Sequence, residues 1–374
     1  MLIMKKRILF FHFDLQGGGA EKVLINLLRN LHPDKYDITL KVIFGKGPNV
    51  NNIPEYVHYE KVFSRLVRGF TIVMKVFGGK FWYRLFVRGK YDIEIAYLET
   101  SPTRIIGGST NKNSKKLAWV HTTLNDNYPY SKSFKNRREA IDCYNRYDKI
   151  LFVSQGTLDS FVKYLPEVTT PKEVVYNVND YDYIKKLGLE PLDDILLSND
   201  SLNICAVGRL ISLKGYDRLI RSFSKVKKDT QRKMQLFILG EGEERHNLEQ
   251  LINDLSLNDD VHLLGFQSNP YKYLSKMDLF VCSSTIEGYS TVTAESIALG
   301  VPVLTTECSG MDEILHEGRY GLIVPNNEGA IYDGLNKLVN CPDLLDGYKQ
   351  VISADCNYTT AAFVEKYEQL FDSL

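Results

Sequence analysis

The sequence predicts an α/β protein of two domains, each a parallel β-sheet flanked by helices. Three observations lead there. The chain has 374 residues, more than one hydrophobic core usually serves. Short β-branched or aromatic runs alternate with helical patterns through both halves, the signature of parallel sheets with crossover helices. Between the halves lies NDYDYIKKLGLEPLDDILLSNDS, residues 179–201, polar and turn-rich with little strand character.

Taken in order, RILFFHF opens the first half. Its apolar run is far shorter than a membrane span and no small-residue cleavage site follows, so it reads as a first strand and not as a signal peptide. Gly17, Gly18 and Gly19 then turn the chain into a helical pattern, and DITLKVIF, IEIAYL, KLAWVH, KILFVS and EVVYN follow as strands. Past the polar hinge the rhythm repeats with NICAVG, MQLFILG, VHLLG, LFVCSS, VPVLTT and GLIVP. Each half therefore reads as a Rossmann-like domain. Ligands in such sheets bind at the carboxyl ends of the strands, which places the expected working site in a cleft between the two domains.

Composition narrows the function classes. Hydrophobic residues at 44% and charged residues at 25% are ordinary for a globular protein. With 46 basic and 46 acidic residues the formal charge is zero, which removes any global electrostatic argument for nucleic acid. The six cysteines, Cys143, Cys205, Cys282, Cys308, Cys341 and Cys356, form no close pairs of metal-ligand spacing. They read as reduced, mostly buried thiols of a cytosolic protein.

The most informative stretch is STIEGYSTVTAESIALGVPVLTT, residues 284–306. It reads as the end of a strand, a loop, and a helix with Ser290 at the N-cap and Gly300 just past the C-terminus. The free N–H groups of Ser290, Thr291 and Val292 would then favour an anion, phosphate being the usual one. Glu287 and Glu295, on either side of that phosphate, suit the hydroxyl groups of a sugar, since a carboxylate accepts hydrogen bonds and repels phosphate. AVGRLISLKGYDRLI adds positive charge, with Arg209 at a strand end and Lys214 in the loop before a helix, a fork and a point charge suited to a diphosphate. The acidic LGEGEERHNLEQL is better explained as a solvated helix start than as a metal site. No Asp-x-Asp motif stands at a strand end, so no metal and no cofactor is expected.

GRLISLKG, LGEGEER, LLGFQ, EGYSTVTAESIALGVPVL and SGMDEIL succeed one another as in the retaining nucleotide-sugar glycosyltransferases of family 4, which have the GT-B fold. GGGAEKVLINLL, WVHTTL, VSQGTLDSF and VVYNV resemble that family's amino-terminal half, so the resemblance covers nearly the whole chain. It implies an acceptor-binding domain over residues 1–180, a donor-binding domain over 181–357, and a C-terminal helix, 358–374, that crosses back to the first domain. It also implies roles: Arg209 and Lys214 on the donor diphosphate, Glu295 on the ribose hydroxyls, Glu287 on the transferred sugar, and Gly17, Gly18 and Gly19 letting backbone approach the donor. His121 would face the donor sugar, Asp14 would lie near the acceptor, and Phe266 would neighbour the base. Tyr289, Ser290 and Met311 are candidates for reading the sugar, and Ser290 and Thr291 belong to the donor-binding set. The resemblance does not make Glu287 a nucleophile, and same-face attack assisted by the leaving diphosphate is the expected course. UDP is the expected nucleotide.

One segment speaks to the acceptor. Lys61 to Lys90, KVFSRLVRGFTIVMKVFGGKFWYRLFVRGK, holds eight Lys or Arg and no acid, interleaved with aromatic and aliphatic residues. Lys80, Arg84 and Arg88 are four apart, Phe77, Phe81, Trp82 and Leu85 form an apolar face, and the break at Gly78 and Gly79 suggests two short helices. Such a segment suits the surface of an anionic membrane, or else packs its apolar face on the first sheet. With family relatives that extend lipid-linked oligosaccharides, it points to a polyprenyl-diphosphate-linked glycan acceptor at the inner membrane face, in capsule, exopolysaccharide or O-antigen assembly. The alternatives are a non-catalytic GT-B partner subunit that binds a nucleotide sugar, and a sugar-nucleotide epimerase or phosphorylase on the same fold.

Overall fold

A computed structural model describes residues 5–16, 18–193, 195, 197–198, 200–355 and 359–374. It divides into two compact units, one taking the chain up to Asn179 together with Thr360–Leu374, the other Asp180–Thr359.

The first unit is built on β1 (Lys6–His12), β2 (Tyr36–Phe44), β3 (His58–Phe63), β4 (Ile93–Ala96), β5 (Lys115–Val120), β6 (Lys149–Phe152) and β7 (Lys172–Val174), in the order β3-β2-β1-β4-β5-β6-β7. Every pairing is parallel. Successive side chains of a strand point to opposite faces, so β1 serves two layers. Leu9 and Phe11 join a core with Phe70, Met74, Trp82 and Phe86, while Phe10 meets Phe371 of the helix Thr360–Asp372. That helix is also tied to the start of β1 by Lys6 Nζ, which donates to the Phe371 carbonyl at 2.7 Å. The strand β3 was not among the sequence expectations. HYEKVF carries charge on an exposed edge, where Lys41 reaches Glu60 at 2.7 Å, and such edge strands lack the apolar run that marks buried ones.

The basic segment does form two short helices, Phe70–Met74 and Gly79–Phe86, but its faces divide differently from the sequence reading. Trp82 is buried with Phe70, Met74, Tyr83 and Phe86 against the first sheet, whereas Phe77, Phe81 and Leu85 are exposed together with Leu66, Val67, Ile72, Val73 and Val76. Arg88 lies past the second helix. The segment therefore has apolar residues on both sides: one set packs inward, and the other faces outward among bases that are all exposed except the half-buried Lys75.

The second unit carries β8 (Leu202–Val207), β9 (Met234–Leu239), β10 (Val261–Gly265), β11 (Leu279–Cys282), β12 (Val303–Thr306) and β13 (Gly321–Val324), ordered β10-β9-β8-β11-β12-β13. This is the order of a doubly wound nucleotide-binding sheet, in which all strands are parallel and the order of strand addition reverses between the first and fourth, here β8 and β11. The loops after these two strands carry the residues singled out for the donor. At the carboxyl edge Gly240 has φ +146°, and a Cβ there would stand 1.9 Å from the Gly208 carbonyl oxygen, so only glycine lets the loops after β8 and β9 approach. The polar hinge is more regular than expected. Asp180 caps the helix Tyr181–Gly188 by accepting from the Tyr183 N–H, and Tyr181 and Ile184 are buried.

Candidate functional site

Local sequence explains how the site of the second unit is assembled. Ser290 caps the helix Thr291–Ala298, its side chain accepting from the Thr293 N–H, and Gly300 follows the helix at φ +83°. The loop before the helix is braced from several directions. Arg218, from the helix Tyr216–Asp229, donates through Nε and Nη2 to the Ser283 carbonyl at 2.9 and 2.5 Å and through Nη2 to the Ser284 carbonyl at 2.7 Å. Thr306 Oγ1 donates to the Ser284 carbonyl at 2.6 Å, and Ser283 Oγ donates to the Lys214 carbonyl at 2.9 Å. Gly215 makes the last contact possible, because at φ +61° a Cβ would meet the Ser283 carbonyl at 2.3 Å.

Within that frame Lys214 Nζ donates to Glu287 Oε1 at 2.6 Å, and Ser284 Oγ donates to the same oxygen at 2.6 Å. The side chains of Lys214 and Glu287 keep only 24% and 13% of their surface exposed. Burial on its own would lower the lysine's pKa, but the Glu287 charge and hydrogen bond outweigh it and hold the ammonium above its ordinary range, while the neighbouring Arg209 charge pulls the other way. Arg209 itself is exposed just past β8. A lysine paired with a carboxylate, and an exposed arginine whose charge reaches that lysine, therefore stand in the loops that lead to a capped helix N-terminus. Such an arrangement binds a polyanion and stabilises negative charge that develops on it.

Of the other predicted residues in this unit, Tyr289 and Thr291 lie in the same loop and helix start. Glu295 lies inside the helix with 1% of its surface exposed, and Met311 is fully buried at the start of the short helix Met311–Leu315. Phe266 follows β10 and is 71% exposed.

In the first unit Gly18 and Gly19 join β1 to the helix Gly19–Asn30, and Gly17 lies outside the described residues. A Cβ on Gly18 would meet the Glu21 carboxylate at 2.4 Å. His121 follows β5 and is buried. Its backbone N–H donates to Glu99 Oε2 at 2.9 Å, and the Thr122 hydroxyl donates to the other oxygen of that carboxylate. Burial pushes the His121 imidazole down to about 3, with the nearby His12 adding to the effect. His12 Nδ1 lies 2.6 Å from the Asp14 carbonyl oxygen. A carbonyl only accepts, so that nitrogen carries the proton. Burial lowers His12 to about 4, and both rings are neutral at neutral pH. Asp14 is buried as well; burial raises its carboxyl, against the hydrogen bond it accepts from the Gln16 N–H.

Residues 192–352 match the family described as glycosyl transferases group 1. The chain is 36% identical over 347 residues to the N-acetylgalactosamine-N,N'-diacetylbacillosaminyl-diphospho-undecaprenol 4-alpha-N-acetylgalactosaminyltransferase of Campylobacter jejuni, spanning 91% of this chain and 92% of that one. The chain belongs to the glycosyl transferases group 1. It is also 27% identical to the O-antigen biosynthesis glycosyltransferase WclY of Escherichia coli over 61% of this chain and 62% of that one. Anabaena Alr3699/HepE, solved in complex with UDP, matches the fold with a TM-score of 0.75 at 20% identity, covering 99% of this chain and 100% of its own. The fold is that of the GT-B glycosyltransferases.

In this glycosyltransferase the structure pairs Lys214 with Glu287 and caps the following helix with Ser290, and sequence reasoning left out what braces them. Arg218 acts on the backbone carbonyls of Ser283 and Ser284, and a carbonyl leaves no residue-type signal to read, while Ser284 acts on the Glu287 carboxylate through a hydroxyl of a very common residue type. His12, Tyr97 and Glu99 around His121 were also unread. Glu99 shows a faint signal, a carboxylate three residues past a buried strand, where nothing but function or a hydrogen-bonding role keeps an acid.

Proposed function

We propose that this group 1 glycosyltransferase is a retaining enzyme of family 4 that moves a sugar from a nucleotide-sugar donor, a UDP-sugar, to a polyprenyl-diphosphate-linked glycan. The observation that carries the reading is the Lys214–Glu287–Ser284 arrangement beside Arg209 and the Ser290-capped helix. We assign donor binding to the second unit and acceptor binding to the first. Lys214 and Arg209 take up the charge that builds on the leaving diphosphate, which is the work a divalent cation does in metal-dependent transferases, and on this reading no metal is obligatory. Glu287 holds Lys214 in place and accepts sugar hydroxyls. An oxygen already engaged by an ammonium and a hydroxyl is a poor nucleophile, so the acceptor attacks on the face that the diphosphate leaves, and the diphosphate assists removal of its proton. Glu295 is assigned to the ribose, Gly17, Gly18, Gly19, Tyr289 and Thr291 to the donor, Phe266 to its base, neutral His121 to a sugar hydroxyl, and Asp14 to the acceptor.

The lipid-linked acceptor is supported by the Campylobacter relative, whose own acceptor is a diphospho-undecaprenol glycan by name. The outward apolar and basic face of residues 61–90 supports an anionic membrane surface as the place of reaction, at the inner face in capsule, exopolysaccharide or O-antigen assembly. No helix among the described residues is long and apolar enough to cross a membrane.

Thermal stabilisation and nucleotide release across UDP-, GDP- and ADP-sugars, with and without EDTA, test the proposal. One UDP-sugar should stabilise the protein with EDTA present, and Lys214→Ala should lose that response and about a hundredfold or more of turnover. Stabilisation that EDTA abolishes would remove the metal-independent reading. No response to any donor would remove the donor assignment.

A further inference from the structure

One face of the first sheet carries a column of rings that ends at His121. Tyr367, from the helix Thr360–Asp372, stacks on Trp119 with ring centroids 5.3 Å apart and planes 19° apart. Trp119 in turn lies 6.1 Å from His121 with planes 21° apart. Tyr97 leans on both, its ring 4.7 Å from Trp119 and 4.7 Å from His121. The geometry follows from strand periodicity: Trp119 and His121 are two apart along one strand direction and share a face. Tyr97, Trp119 and Tyr367 are all fully buried.

The column has a fixed far end and a near end held by packing. Tyr367 OH donates to the Tyr176 carbonyl at 2.6 Å, and the ring is held by its burial against Trp119. Its neighbour Glu368 receives Lys35 Nζ at 2.6 Å and His32 Nδ1 at 2.5 Å, which anchors the helix. At the near end, His121 Nε2 has no hydrogen-bond partner among the described residues. The plane of the imidazole is therefore set by the rings against it, and close-packed rings leave little room for a second rotamer.

We propose that Tyr367 is a positioning residue for His121, acting through Trp119, so that the last helix of the chain controls the aim of an imidazole 246 positions earlier. The consequence for turnover rests on the reading of His121 as a sugar contact; the positioning itself does not.

Nuclear magnetic resonance of protein labelled with 15N-histidine tests it, with the His121 ring signal assigned by its loss in His121→Ala. Tyr367→Phe keeps the stack and should leave that signal sharp. Tyr367→Leu removes the stack and should broaden or split it. Phe161→Leu, on the helix Gln155–Tyr164 of the same unit and packed on Tyr144 and Phe152, removes a comparable buried ring away from the column and should leave it sharp. Nucleotide release from UDP-N-acetylgalactosamine, UDP-N-acetylglucosamine and UDP-glucose supplies the second readout. Tyr367→Leu should lower turnover about tenfold at unchanged donor KM, because a small misplacement of a reacting contact costs rate more than binding. It should have no further effect in a His121→Ala background. A sharp His121 signal in Tyr367→Leu, or equal broadening in Phe161→Leu, would overturn the positioning role. Full turnover in His121→Ala alone would sink the sugar-contact reading, while the resonance experiment would still decide the positioning.

Discussion

Single buried side chains govern how this enzyme responds to acid. The His12 imidazole is held down to about 4 by burial, from 6.5 in the unfolded chain. As pH falls below 6.5 the unfolded chain takes up a proton that the folded one refuses, so stability is lost progressively down to about pH 4 and the loss then levels off. For this one group that is about 3 kcal/mol. His121 acts in the same direction over a window reaching down to about 3, while the raised carboxyls of Asp14 and Glu99 oppose it. His12→Asn, which can still donate to the Asp14 carbonyl, isolates the His12 part. Urea midpoints taken from pH 6.5 to 4 should fall less steeply in the variant than in the wild type. Parallel curves would show that His12 is not the group responsible. Lys214 works at the other end of the scale, where its raised pKa keeps the pair with Glu287 intact until the pH rises past the ordinary lysine range. The residue scale also shows the limit of a linear reading. Lys214 and Glu287 were legible because each sits in an ordered run of motifs, whereas Arg218 grips carbonyls 65 and 66 positions away and its own neighbours say nothing of it.

Elements were easiest to read where they are buried. The twelve expected strands all form, because a parallel sheet covered on both faces requires continuous apolar runs. The exposed edge strand β3 escaped for the same reason. Helices were harder at their ends and faces, as in the basic segment, where 3.6-residue periodicity marked an apolar face but did not reveal that Trp82 turns inward and Phe81 outward. The helix Thr360–Asp372 depends on a few polar anchors. Glu368 is nearly enclosed and receives Lys35 and His32; burial would raise its carboxyl, but those hydrogen bonds win and lower it. The stability it adds is therefore present above about pH 4.5 and fades as pH falls through its folded value. Glu368→Ala should cost about 2 kcal/mol at pH 7, read as a shift in urea midpoint, and the gap from wild type should shrink towards pH 3. An undiminished gap there would mean that the helix is held by its rings alone.

At the scale of the whole molecule the charge is balanced, and what counts is where it is uneven. Eight bases and no acid fall between Lys61 and Lys90, around outward apolar residues such as Ile72, which is 73% exposed. If that face meets an anionic membrane, the protein should sediment with phosphatidylcholine vesicles containing phosphatidylglycerol, less with phosphatidylcholine alone, and less at raised salt. Replacing Ile72, Val76 and Phe77 together by Ser should weaken binding about tenfold or more, since each apolar side chain contributes on entering the interface. Unchanged sedimentation would leave the bases as a merely solvated face. The sequence by itself determined the two-unit α/β architecture and the group 1 membership, and it singled out Lys214 and Glu287, which the structure brings together. These rest on local periodicity and on residue types in a fixed order, which a one-dimensional string preserves. Only the tertiary structure decided which side chains grip the Ser283 and Ser284 carbonyls, which aromatic rings turn outward, and that Tyr367 lies on Trp119. Those facts depend on contacts between distant positions, and such contacts are chosen by how buried surfaces fit once the chain has folded.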